Sequence, residues 1–283
     1  MKRNFVTDLV EYKSSKERNI YHGTSRKVIE IAPGVEVGGA RILLMAGPCS
    51  VESEEQYVLT ASRVKQSGAA VIRGGIFKPR TSPYSFQGIG SAGYPVLDSV
   101  RNLGLPVVSE ILDVRLVEEM APHVDVFQVG TRNMFNYSLL KELGRTTKPI
   151  LLKRAMMATV EEFLGAAEYI LSHGNSKVIL CERGIRSFDS STRFCLDLAS
   201  ISVLREKSDL PIIVDPSHGT GVARYVESMS LAAIAAGADG LLIEVHPHPE
   251  KALSDSKQTI SCEDFDTLAL RAGHVANAIG RTI

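Results

Sequence analysis

Eight short apolar runs recur along this chain: ILLMA (42–46), AVI (70–72), PVVSE (106–110), DVFQV (125–129), ILLK (150–153), VILC (178–181), IIVD (212–215) and LLIEV (241–245). Runs this short and continuous read as parallel strands buried on both faces. Segments with helical spacing lie between several of them. EEQYVLTASRVKQSG (54–68) closes on Gly68, a helix-ending glycine. TVEEFLGAAEYILSHGN (159–175) opens with the Thr-x-x-Glu pattern of a capping box. RYVESMSLAAIAAGADG (224–240) closes on Gly237, and CEDFDTLALRAGHVANAI (262–279) supplies the last helix. Eight strands alternating with helices over roughly 240 residues predict an α/β fold, a single (β/α)8 TIM barrel spanning residues 39–283. The rival is an open doubly wound sheet, which brings a GxGxxG turn after its first strand. GGARILLMAGP (38–48) places its glycines wrongly for that turn.

Residues 1–38 form an N-terminal extension of polar, irregular sequence. Within it, KVIEIAPGVEVGG reads either as a short β-hairpin closing the barrel bottom or as part of a loosely ordered arm.

Composition excludes several classes. The 283 residues carry 32 basic and 32 acidic side chains, a formal net charge of zero, which argues against nucleic-acid or membrane-surface binding. The chain opens without the apolar core of a signal peptide, and no apolar run reaches the length of a membrane span. Four cysteines without close pairing suit free thiols in a reducing cytoplasm, with Cys181 and Cys195 expected as buried packing residues.

In a barrel of this kind the active site forms at the C-terminal ends of the strands. Polar residues crowd those ends: Cys49, Arg73, Lys78, Glu110, Arg132, Lys153 with Arg154, Arg183 with Arg186, His218 and Glu244. Two groups stand out. Cys49, His218, Glu244 and Asp255 follow the first, seventh and eighth runs, which closure of a barrel makes neighbours. A thiol, an imidazole and two carboxylates suit a divalent transition metal (Mn, Fe, Co or Zn) better than Ca or Mg. A lone strand-end histidine is more often a hydrogen-bonding residue than a ligand, and it is the four compatible residues together that put the metal reading on equal terms.

The second group is cationic: Arg73, Lys78, Arg80, Arg132, Lys153 and Arg183. Cations directed into a barrel mouth need anions. Glu110 and Glu182 can pair with one or two of them, and the surplus predicts a ligand bearing phosphate and carboxylate groups. RGGIFKPRTSPYSFQG (73–88) concentrates this chemistry, with Pro79 and Pro83 stiffening a loop in which Arg80, Thr81 and Ser82 form a phosphate cradle.

GPCSVES, RGGIFKPRTSPYSFQG, GTRNM, LLKRAM, ILCERGIR, VDPSHGTG and IEVHPHPEKALSD together resemble 3-deoxy-D-arabino-heptulosonate 7-phosphate (DAHP) synthases. The nearest branch is the one related to 3-deoxy-octulosonate 8-phosphate (KDO8P) synthase, and the likeness runs from about Val35 to the C-terminus. The resemblance implies condensation of phosphoenolpyruvate (PEP) with erythrose 4-phosphate, the first step of the shikimate pathway to aromatic amino acids. It implies a metal on Cys49, His218, Glu244 and Asp255. PEP falls to Arg73, Lys78, Arg132, Lys153 and Arg183, and the phosphate of erythrose 4-phosphate to Arg80 and Thr81. Lys78 becomes a candidate proton donor and Glu110 the residue that orients the attacking water.

KPRTS, where KDO8P synthases carry a KANRSS-like segment, points to the four-carbon acceptor. Ala155, Phe135, His248 and Ser256 depart from the family pattern, and Ala155 is expected to narrow the PEP pocket by one methyl. The alternatives are condensation with another phosphorylated aldose such as arabinose 5-phosphate, or a silent barrel that only binds phosphorylated metabolites. Relatives are commonly homo-oligomers, dimers or tetramers. About 38 residues before the barrel are too few for a fused regulatory domain, so feedback control is expected to be absent or to come from a separate partner.

Overall fold

The computed structural model describes residues 26–80 and 82–283. Strands β1 (Ile29–Ala32) and β2 (Val35–Val37) form an antiparallel hairpin whose turn Gly34 takes up at φ 77°. The next eight strands are β3 (Leu43–Gly47), β4 (Val71–Arg73), β5 (Val107–Ile111), β6 (Val126–Val129), β7 (Ile150–Lys153), β8 (Val178–Glu182), β9 (Ile212–Val214) and β10 (Gly240–Glu244). They are parallel and close into a barrel in chain order, with β10 bonded to both β9 and β3. Each of the eight apolar runs is a strand.

Side chains alternate along the strands, as a two-residue period requires. Leu43 and Met45 point into the barrel, where they meet Val71, Val108, Val126, Leu151, Ile179, Ile213 and Leu242. Leu44, Ile72, Phe127, Leu152 and Leu180 point outward into a second core beneath the helices. The hairpin's Ile29, Ile31 and Val37 pack with the inner set, so the hairpin closes the N-terminal end of the barrel. It is therefore the hairpin reading of KVIEIAPGVEVGG that holds for residues 29–37; residues 1–25 lie outside the described residues.

The helices are α1 (Glu54–Gln66), α2 (Tyr94–Ser99), α3 (Val117–Met120), α4 (Tyr137–Leu143), α5 (Val160–Leu171), α6 (Ala199–Lys207), α7 (Pro216–Thr220), α8 (Ala223–Ala235) and α9 (Cys262–Ala278). Thr159 and Glu162 cap α5 reciprocally, and Ser261 and Asp264 do the same for α9. Gly68 follows the end of α1 at φ 96°, a left-handed conformation that glycine adopts without strain. Cys49, Cys181 and Cys262 are buried, whereas Cys195 is exposed, contrary to expectation. Its segment lies outside the barrel wall, tied to the loop after β8 by a two-way backbone bridge with Ile185. Among the described residues no helix is long and apolar enough to cross a membrane.

Candidate active site at the barrel mouth

At the C-terminal ends of the strands a cavity of about 470 Å³ opens, lined among others by Arg73, Lys78, Arg80, Glu110, Arg132, Lys153, Arg183, His218 and Asp255. Such a volume suits a small-molecule site.

One wall is the thiol–carboxylate cluster. In-register pairing of Glu244 with Gly47 brings β10 alongside the start of the GPCS loop. Gly47, at φ 151°, is indispensable there, because a Cβ would stand 2.2 Å from the carbonyl oxygen of Arg73. Ligand atoms of Cys49, Glu244 and Asp255 all lie within 4.8 Å of one another. The Cys49 thiol donates to Asp255 Oδ2 at 3.3 Å. His218 Nε2 faces the same carboxylates, 3.5 Å from Glu244 Oε1 and 3.8 Å from Asp255 Oδ2. Asp255 is the one non-glycine residue with positive φ (50°) among the described residues, a conformation that costs energy and concentrates at functional sites. Its loop is fastened to the Cys49 loop by the Ser50–Ser254 hydroxyl pair at 2.7 Å and by Glu52 accepting from the Leu253 amide at 2.8 Å.

Asp215 sets the histidine. It caps α7, accepting from the His218 amide at 2.9 Å and from His218 Nδ1 at 2.8 Å, and it also accepts from Lys153. Burial opposes ionisation of Asp215, but His218 and Lys153 outweigh it and hold the carboxyl well below its ordinary range. Asp215 thereby engages Nδ1 and turns Nε2 toward Glu244 and Asp255. Burial, then Glu244 and Asp255, push the Cys49 thiol up to about 12 against the opposing pull of Lys78 and Arg73. Asp255 is nonetheless held at about 2, because His218, Arg193 and Lys78 outweigh its burial. A buried thiol between two ionised carboxylates, with an imidazole nitrogen beside them, is a donor set that fits a divalent transition metal.

The opposite wall is cationic, but its ion pairs differ from those expected. Glu182 is fully buried and bonds Arg154 at 2.8 Å and the Gly184 amide at 2.6 Å; it pairs with none of the six predicted cations. Glu110 likewise has no ion pair among the described residues. The partners are Glu244, 2.9 Å from Arg73, and Asp215, bonded to Lys153. Asp215 combines this pairing with its place as the N-cap of α7. Among the described residues Lys78, Arg80, Arg132 and Arg183 have no carboxylate within ion-pair distance. Lys78 Nζ donates to the Cys49 carbonyl at 3.1 Å. Burial lowers its pKa, but Cys49 and Glu110 more than compensate, so the ammonium is favoured.

Glu110 lines the cavity beside Gln128, its register partner on β6. Gly130 makes room for it, since a Cβ there would fall 1.8 Å from Glu110 Oε1. Thr81 lies outside the described residues, while Arg80 and Ser82 line the cavity. The four departures from the family pattern separate clearly. Phe135, His248 and Ser256 are surface positions, whereas Ala155 is buried, with its amide 3.1 Å from Met134 Sδ.

Three residues absent from the sequence reading join the site. Gln258 donates to Glu244 Oε2 at 2.7 Å and accepts from Arg193 NH1 at 2.9 Å, and Arg193 lies 3.6 Å from Asp255. Phe194 lines the cavity beside them. Folding of the loop after β8 brings Arg193 and Phe194 inward, and folding of the segment after β10 brings Gln258.

A sequence profile described as "DAHP synthetase I family" matches residues 20–279. A phospho-2-dehydro-3-deoxyheptonate aldolase of Thermotoga maritima is 47% identical over 247 residues, covering 87% of this chain and 73% of that protein. A 2-dehydro-3-deoxyphosphooctonate aldolase of Geobacter sulfurreducens is 32% identical over 254 residues, covering 83% of this chain and 92% of that one. A crystal structure of the Thermotoga maritima DAHP synthase superposes with a TM-score of 0.90 at 44% identity, covering 94% of this chain and 78% of that chain.

Proposed function

The chain belongs to the DAHP synthetase I family, and from that premise we propose that it condenses PEP with erythrose 4-phosphate, giving DAHP and inorganic phosphate. The observation that carries the reading is the divided cavity. Four cations without carboxylate partners among the described residues face a thiol–imidazole–carboxylate cluster across a space that fits two small phosphorylated molecules.

Lys78, Arg132 and Arg183 bind the phosphate and carboxylate of PEP. Arg73 and Lys153 complete that surface from their ion pairs with Glu244 and Asp215. Arg80 and Thr81 take the phosphate of the aldose, which orients its aldehyde toward Cys49, His218, Glu244 and Asp255. A divalent transition metal (Mn, Fe, Co or Zn) held by these four residues would supply Lewis-acid polarisation of that aldehyde. C3 of PEP forms the new bond to the aldehyde carbon, and C2 becomes cationic. Lys78, held as an ammonium, supplies a proton to the oxygen that gains charge. Glu110 orients the water that adds at C2 and takes its proton. The resulting phosphohemiketal loses phosphate by cleavage of the C2–O bond.

Higher identity to the heptonate enzyme than to the octonate enzymes, together with KPRTS, supports the four-carbon acceptor. The test is a panel of aldose phosphates given to metal-loaded protein with PEP, followed by phosphate release. Erythrose 4-phosphate is expected to be turned over at least tenfold more efficiently than arabinose 5-phosphate. A preference for the five-carbon sugar would transfer the chain to the KDO8P branch, and silence with every sugar would leave a binding protein. The enzyme is further proposed to act as a homo-oligomer in the cytoplasm, where its free cysteines stay reduced.

A further inference from the structure

The loop that leaves β8 turns back on itself. Ile185 and Cys195 exchange both backbone hydrogen bonds, each 2.9 Å, and the Arg193 amide donates to the Thr220 carbonyl at 2.9 Å. Thr192 Oγ1 donates to the Phe194 carbonyl at 2.7 Å. Phe194 is thus fixed at the base of a closed loop. Its ring lies beneath the Arg183 guanidinium, with Cζ 4.2 Å from the ring centroid, and Arg193 approaches the same ring at 5.5 Å. All three side chains line the cavity. The approach depends on Gly184, at φ 88°, where a Cβ would stand 2.8 Å from Phe194 Cβ.

Arg183 is a poorly compensated cation of the mouth. It is 3% exposed, and among the described residues no carboxylate comes within ion-pair distance. NH1 donates to the Gly184 carbonyl at 3.2 Å, and Nε has no hydrogen-bond partner. Among the described residues the Phe194 ring is the one cation–π partner of this guanidinium. We propose that Phe194 is a positioning residue for PEP, holding the Arg183 guanidinium flat against the cavity wall through its π face. A carboxylate in that place would fix the guanidinium but neutralise it. An aromatic face attracts the cation through its quadrupole and leaves the full charge for an arriving phosphate or carboxylate. This inference rests on the assignment of Arg183 to PEP.

The test compares Phe194→Leu, which fills the space without a π face, with Phe194→Tyr, which keeps the face. Phe194→Leu is expected to raise KM for PEP roughly three- to twentyfold, the range a partly desolvated cation–π contact allows. Its kcat and its KM for the aldose should stay within about twofold, and Phe194→Tyr should behave like the parent. Arg183→Ala should raise KM for PEP at least as far, and adding Phe194→Leu to it should change nothing further, because the contact is already gone. The double-variant comparison holds even if Phe194→Leu is less stable, since general destabilisation would add to Arg183→Ala. Phe194→Leu with unaltered KM for PEP, beside an impaired Arg183→Ala, would overturn the role of Phe194 alone. An Arg183→Ala variant with unaltered KM for PEP would overturn the PEP assignment and this inference with it.

Discussion

Cys49→Ser is expected to lower turnover at least about a hundredfold and to strip the protein of most of its bound metal. The thiol is buried, pushed up to about 12, and lies with the Glu244 and Asp255 carboxylates within a 4.8 Å cluster. A cation reverses that situation by stabilising the thiolate, which a serine hydroxyl cannot match at neutral pH. Lewis-acid stabilisation amounts to several kcal/mol, and each 1.4 kcal/mol is about tenfold in rate, hence the size of the expected loss. Metal content per protomer after dialysis gives a readout independent of activity. Cys195→Ser is the matched control, because that thiol is exposed and outside the cluster. Undiminished metal content in Cys49→Ser would remove Cys49 from the ligand set.

Asp239→Ala is expected to destabilise the fold by about 3–5 kcal/mol, the usual cost of leaving buried charges without their partner. Asp239 stands immediately before β10, at the barrel end remote from the cavity, and is completely buried. Its carboxylate accepts from Arg205, from Arg281 at 3.2 Å and from the Ile212 amide at 2.8 Å, with Arg26 at 3.6 Å. It thereby ties residues near both chain ends to the junction of β9 and β10. Without it three guanidinium groups face one another, and Arg205 already has two nitrogens without hydrogen-bond partners. A fall of roughly 6–20 °C in the melting temperature corresponds to that cost in a domain of this size. Activity measured well below the transition should be retained. A melting temperature within about 2 °C of the parent would show that the cluster contributes little net stability.

These two residues differ in how they can be read from sequence. Cys49 sits in a motif whose chemistry is written in its residue types, and barrel closure alone brings it beside Glu244. Asp239 lies in AGADG, which reads as a turn, and its partners are distant in the chain. The eight strands were legible because burial on both faces leaves continuous apolar runs. The long helices α1, α5, α8 and α9 were legible because two or more turns display their spacing and caps. Helices α2, α3, α4 and α7, of four to seven residues, are too short to show a period, and they hold their shape through packing. At the site, residue types located the cavity but not the pairing within it. Glu182 and Glu110 were the evident counter-ions by position, yet strand alternation beside the inward Cys181 turns Glu182 to the outer face, where it meets Arg154, and Asp215 reaches Lys153. Phe194 and Gln258 carry no signal in sequence, because an aromatic and an amide in a loop acquire meaning only from the side chains they meet.

The central claim is that this cavity joins PEP to erythrose 4-phosphate with cleavage of the C2–O bond. It is tested most directly by supplying PEP labelled with heavy oxygen at the C2–O bridge to the metal-loaded enzyme with erythrose 4-phosphate, then weighing both products. The account predicts a heptulosonate 7-phosphate formed in equal amount with inorganic phosphate, with all of the bridge label in the phosphate and no release from PEP when the aldose is omitted. Label retained on the carbon product, or phosphate released from PEP without the aldose, would contradict it.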